Sequence, residues 1–197
     1  PHIKISTLYN PSMSYELFLE PFMVPAVLHL LLCCCVAFAI GQEFKRNTFA
    51  EWVNPQQIVS SFLGKILVYV CIFCFWTWSW MFWLAHIRGY FIAGSLSLIL
   101  IAQFLLYFAY AVISSTVVLA TKDLPKTFGF IALYGGSSPS FSGITLPLNN
   151  APAFTQFWSM IIPYTPYAKL QTEQWVIGSD ISVSLIPFGI LVIFSAL

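Results

Sequence analysis

The residues with the most chemical potential in this chain lie in apolar surroundings. Cys33, Cys34 and Cys35 are consecutive, and Cys71 and Cys74 form a Cys-x-x-Cys pair. Consecutive cysteines on a helix point in different directions, whereas the pair can share one face. A structural zinc site needs about four good ligands, and no His or carboxylate stands beside Cys71 and Cys74. All five thiols therefore read as small apolar packing groups, and no metal ligand is expected. Ser, His and carboxylate, the ingredients of nucleophilic catalysis, are all present, yet Glu16, Glu20, Glu173 and Asp180 lie outside the apolar runs and no nucleophile elbow accompanies them. Gly64-Lys65 lacks both the upstream Gly and the following hydroxyl of a phosphate-binding loop. No catalytic residue is expected, and any ATP chemistry must reside on another subunit. What remains is a set of polar groups inside apolar runs: His29, Gln103, and Ser114-Ser115-Thr116. Such groups either line a path or hydrogen-bond neighbouring helices.

The elements that must position these groups follow from composition. The chain is 59% hydrophobic and 8% charged over 197 residues, against about 25% charged in soluble domains. So few charges could not cover a soluble domain of this size. A net charge of +1 argues against a nucleic-acid partner. The chain begins at Pro1 and stops inside an apolar run, so it is expected to be part of a longer protein.

A bilayer core of about 30 Å takes roughly 20 apolar helical residues. Apolar runs near 22–40, 66–84, 95–120 and 181–197 meet or approach this. A further run, 128–146, carries Gly135-Gly136-Ser137-Ser138-Pro139, which predicts an unwound or kinked helix. Irregular backbone at membrane depth must face protein or a cavity. The expectation is an all-α polytopic membrane bundle of about five spans, with a broken penultimate span. Residues 147–180, punctuated by Pro147, Pro152, Pro163 and Pro166, predict short external or re-entrant helices, one over Ala153–Ile162 and one over Tyr167–Ile177. His2–Tyr9 alternates weakly like a strand, and Ser14–Leu19 suits a short interfacial helix before Pro21.

Lys45, Arg46, Lys65, Lys122 and Lys126 fall on one side of these spans, and Lys4, Arg88 and Lys169 on the other. That bias places loops 41–65 and 121–127 in the cytoplasm. Trp76, Trp78, Trp80 and Trp83 cluster toward the opposite end of their span, where indoles favour an interface; packing against neighbouring helices is the other use of them. In the polar stretch after the first run, Thr48 can cap a helix with Glu51 three residues on, a capping box. Phe49, Trp52 and Val53 share a face, leaving Glu43, Lys45 and Arg46 for polar contacts. The alternative is a solvated interfacial helix with snorkelling cations.

The order of these features resembles a family. Tyr9-Asn10-Pro11 with Phe18 through Pro21, then Gly41-Gln42-Glu43-Phe44-Lys45-Arg46-Asn47-Thr48-Phe49-Ala50-Glu51-Trp52, then Phe141-Ser142-Gly143 with Pro147 and Pro163, resemble the permease subunit of type 2 ATP-binding-cassette exporters, in the branch with a large external domain after its first span. The middle stretch is similar to that family's Arg-Glu-x-Glu-x-Gly-Thr-x-Glu-x-Leu signature. Asn47 stands where the family usually has Gly, and Gln42 where a charged residue is common. The resemblance implies that residues 1–20 end an external domain and 21–197 form the permease domain. It implies ATPase coupling through Glu43, Lys45, Arg46, Thr48, Glu51 and Trp52, and a gate or pathway at His29, Gln103, Gly135, Gly136, Ser137 and Pro139. The partners it implies are an ABC ATPase carrying ATP and Mg, a second permease copy, membrane lipids, and periplasmic or outer-membrane export components, in a bacterial inner membrane. The cargo expected is amphipathic or hydrophobic. A channel-like or scaffold protein, and a membrane-embedded hydrolase, are the alternatives.

Overall fold

A computed structural model describes residues 15–53, 56–145 and 147–196. The strand expected over His2–Tyr9 lies outside the described residues. Helices α1 (Tyr15–Arg46), α2 (Phe49–Trp52), α3 (Ile58–His86), α4 (Leu96–Thr121) and α5 (Leu124–Tyr134) are followed by α6 (Ser138–Phe141), α7 (Ala153–Met160) and α8 (Tyr164–Gln171). A π-helical turn, Thr172–Ile177, then leads to α9 (Ile181–Ala196). No strand occurs among the described residues. Three helices, α1, α3 and α4, are individually long and apolar enough to cross a bilayer, and α9 is a shorter apolar helix. The fold is an all-α polytopic helical bundle.

Helix α4 is the axis of this bundle, packing against α1, α3, α5, α8 and α9. Lipid tails are as apolar as leucine, so helix association in a membrane rests on close packing and hydrogen bonds. The α1–α4 seam follows that rule with small buried residues, Cys33 on α1 meeting the Tyr110 backbone and Ser114 on α4. Ser114 Oγ donates to the Cys33 carbonyl across the seam at 2.7 Å. Buried residues on α3 recur at Ile66, Val70, Cys74, Thr77, Met81 and Leu84, a single stripe at helical spacing. The opposite face exposes Val68, Ile72, Phe75, Trp76 and Phe82, an apolar surface suited to lipid. The tryptophans divide between exposed and packed positions. Trp76 and Trp78 are exposed, while Trp80 and Trp83 stack at 4.8 Å and pack beside Met81 and Leu84.

Several boundaries differ from the sequence reading. The separate helix expected over Ser14–Leu19 does not form. From Tyr15 on, α1 runs straight through Pro21 and Pro25, because neighbouring helices can supply hydrogen bonds that a helical proline removes. The polar loop is also shorter than 41–65. α1 continues to Arg46 and α3 starts at Ile58, so Lys65 is a helical residue facing α1. The run 128–146 is not one helix, since α5 stops at Tyr134 and a turn at 135–137 separates it from α6.

Candidate functional site

Two places gather the residues singled out from the sequence. The first is the break between α5 and α6. Pro139 has no N–H, so it cannot bond the carbonyl four residues back, that of Gly135. That carbonyl accepts instead from the Ser138 N–H at 3.1 Å and lies 3.2 Å from His29 Nε2 on α1. His29 Nδ1 lies 3.2 Å from the Pro25 carbonyl. A neutral imidazole carries a single N–H, so one contact at a time is a full hydrogen bond and the ring can serve either carbonyl. The ring is fully buried, 4.2 Å from Tyr110 and 5.5 Å from Tyr164 between centroids. The rest of the break is satisfied in the same way. Tyr110 and Ser138 hydroxyls are 2.6 Å apart, Ser138 Oγ donates to the Tyr134 carbonyl, and Trp158 Nε1 donates to Ser137 Oγ at 3.0 Å. These bonds tie the break to α1, α4 and α7, while Gly136 is exposed.

Glycine is required at this turn for space. A Cβ on Gly136 would lie 2.3 Å from the Ala132 carbonyl oxygen, and one on Gly135 2.9 Å from that of Ile131. His29, Gly135, Ser137 and the Pro139 turn thus form one packed unit. Gln103 is not part of it. Its Nε2 donates to Tyr167 Oη at 3.3 Å and contacts Met81 Sδ at 2.8 Å, and its Oε1 has no partner among the described residues. The two are joined through Tyr164 and Tyr167, whose rings lie 5.6 Å apart.

These tyrosines are what the sequence reading missed. Tyr107, Tyr110, Tyr164 and Tyr167 are the largest fully buried side chains of the bundle. Tyr164 Oη donates to the Phe22 carbonyl at 2.6 Å, Tyr134 Oη to the Ile161 carbonyl at 2.5 Å, and Tyr107 shares a hydrogen bond with Thr77. The available signal was the Tyr-x-x-Tyr spacing, present in both α4 and α8, which puts two phenols on one helix face. These bonds hold α8, and the turn that follows α7, against the bundle, while α7 itself is largely exposed.

The second place is the connection between α1 and α3. α1 ends in a Schellman motif: Thr48 N–H bonds the Glu43 carbonyl at 3.0 Å, and Asn47 N–H bonds that of Phe44. Asn47 adopts φ +58°, the left-handed position that Gly would fill most easily and Asn tolerates. The capping box expected at Thr48 and Glu51 does not form. Thr48 has φ −94° and ψ 1° and makes no side-chain cap bond, whereas an N-cap is extended. Its hydroxyl turns back to Glu43 Oε2 at 2.5 Å, and Glu51 is exposed. Glu43 also pairs with Lys65 Nζ on α3 at 2.5 Å, and that ammonium sits 4.2 Å over the Trp52 ring. Phe44 stacks on Phe49 at 4.4 Å, and Phe49 and Phe62 each meet the Trp52 ring edge-on. One carboxylate thus ties α1, α2 and α3 together, while Lys45, Arg46, Asn47, Ala50 and Glu51 remain exposed.

The basic residues distribute by end. Lys45 and Lys122 line one cavity of about 430 Å³ between α1 and the α4–α5 turn, where Asp123 caps α5 by accepting from Lys126 N–H. At the opposite end Arg88 pairs with Glu16, and the Arg88 guanidinium holds that carboxyl below its usual range. The five cysteines are free thiols, Cys33 and Cys74 buried and Cys35 and Cys71 exposed. No group of three or more His, Cys, Asp and Glu that could hold a metal gathers among the described residues.

Comparison with known proteins returns one family. No curated protein matches the chain, and no solved structure matches it. The model of a family described as ABC-2 family transporter protein matches residues 1–197. With an all-α bundle of apolar membrane-length helices and that match over the whole sequence, the chain belongs to the ABC-2 transporter family.

Proposed function

We propose that this membrane subunit is the permease of an ABC exporter, driven by ATP and Mg bound on a separate ATPase subunit. The observation that carries the reading is the α2 turn. Its inner face is fastened to α1 and α3 through Glu43, Thr48, Lys65 and Trp52, and its outer face presents Lys45, Arg46, Asn47 and Glu51 to solvent. A partner that grips the exposed face moves both helices as one body. Ile58 and Val59, exposed beside it, add an apolar anchor of the kind found at interface centres. The α5–α6 break is the gate. His29 holds one end of it to α1, so a shift of α1 changes the bond at Gly135. A second copy completes the pathway, and α7 with the buried α8 forms a re-entrant cap on the outer side. The lack of charge along α4, and along α3 beyond Lys65, suits amphipathic or hydrophobic cargo moved across a bacterial inner membrane, with a large external domain and further export components around it.

The test is the double variant Arg46→Glu with Glu51→Lys. Both side chains are exposed and outside the Glu43–Lys65 pair, so the fold should be kept. Co-purification of the ATPase encoded beside this chain should fall at least tenfold, and ATP-driven transport in proteoliposomes should stop. Unchanged association and transport would remove the docking role.

A further inference from the structure

The α7–α8–α9 corner holds a cavity of about 320 Å³ lined by Ser159, Met160, Thr165, Lys169, Ile186 and Ile190, among others. Its walls are apolar, and Lys169 is its one charged lining residue. Lys169 has no ion-pair partner within 4 Å among the described residues, although Glu173 stands one turn further along. The Glu173 carboxylate is already engaged by the Ser184 hydroxyl at 2.7 Å. It lines a neighbouring cavity of about 400 Å³ on the other flank of α8, which meets the first along Thr165 and Lys169. The Thr165 hydroxyl also finds no partner among the described residues.

The surroundings of Lys169 decide what can sit there. Met160 is 71% exposed, Ile186 68% and Ile190 41%. In a membrane bundle such residues meet lipid. An ammonium set among them is costly unless it reaches water or pairs with an anion. An occupant that satisfies both features has an apolar part in the bilayer and a negative group at its end. The combined volume lies in the range of small-molecule sites, about 300–1,000 Å³.

We infer that this groove binds the headgroup of an anionic amphiphile drawn sideways from the bilayer, its phosphate or carboxylate on Lys169 and its chain along Met160, Ile186 and Ile190. The site depends on the chain lying in a membrane, not on transport, so it can be tested with the ATPase absent.

The full chain is placed in phosphatidylcholine nanodiscs containing a trace of photoreactive phosphatidylglycerol, and labelled peptides are read by mass spectrometry. Label should concentrate on residues 158–170 and 184–192. Lys169→Gln should cut it at least fivefold, and Lys169→Arg should keep it. Lys169 is exposed, so both variants should fold, and a thermal melt checks that. A photoreactive diacylglycerol, which lacks the charge, should label these segments weakly. Equal labelling in Lys169→Gln would mean that the lysine merely snorkels. Equal labelling by diacylglycerol, or loss of label on adding millimolar inorganic phosphate, would show an unselective groove or a soluble-anion site. Each of those results overturns the proposal.

Discussion

Replacing His29 with Leu tests the latch on the helix break most directly. Leucine keeps most of the buried volume and removes the ring's polar contacts. The Gly135 carbonyl retains its bond from Ser138 N–H, so the loss is one interhelical hydrogen bond rather than an orphaned acceptor. Such bonds in membrane bundles average about 0.6 kcal/mol and reach about 2. The tilted ring contact with Tyr110, at 4.2 Å, adds about 0.5–1.5 kcal/mol. The sum is about 1–3 kcal/mol. At roughly 2–4 °C per kcal/mol for a chain of this size, the melting temperature should fall by about 2–12 °C. His29→Gln, which brings an amide donor, should recover part of that loss. Because the bond joins α1 to the break, transport per ATP hydrolysed should fall further than stability does. The assay pairs a thermal melt in detergent with coupled ATPase and transport measurements in proteoliposomes. A Leu variant that melts and transports like the wild type would refute the latch.

The other predictions are independent of it. Gly135→Ala, Gly136→Ala and Pro139→Ala together put a Cβ against the Ala132 carbonyl and restore an N–H at 139. Spin-label distances between positions 126 and 140 should lengthen toward those of a continuous helix, with transport impaired; an unchanged distance counts against the steric argument. Lys65→Met removes the part-buried ion pair to Glu43 and the contact on Trp52. It should cost about 1 kcal/mol and raise ATPase activity relative to transport, and full coupling would argue that α2 need not be tied to α3. Glu16 is held low first by its bond to Arg88, so its stabilising contribution exists above the unfolded carboxyl value and is lost as pH falls through the lower folded one. Arg88→Gln should therefore narrow the melting-temperature gap to wild type below about pH 4, and a gap independent of pH would reject the assignment. Single cysteines at Glu51 and Lys126 should react from the cytoplasm and one at Asn149 from outside, in a cysteine-free background; labelling of Glu51 from outside inverts the topology.

The membrane class and the helix break could be read from one dimension. Bilayer thickness translates directly into a count of apolar residues, and a Gly-Gly-Ser-Ser-Pro run cannot continue an α-helix whatever surrounds it. The left-handed residue at Asn47 was legible for the same reason, since αL conformations admit few residue types. Partners could not be read this way. Thr48 had equal local claims to a capping box and to a back-bond, and the Glu43 carboxylate, held by Lys65 from 22 residues away, settled it. His29 and Gly135, 106 residues apart, carry no common local pattern. Proline only states that a carbonyl is freed, and the packing of α1 against α5 decides which side chain meets it. Pro21 reads as a break because a helix considered alone loses a bond there, as it does at Pro25. Tertiary neighbours made them tolerable, and only the folded bundle, by burying four tyrosines between α4 and α8, turned a proline-rich stretch that reads as surface into part of the core.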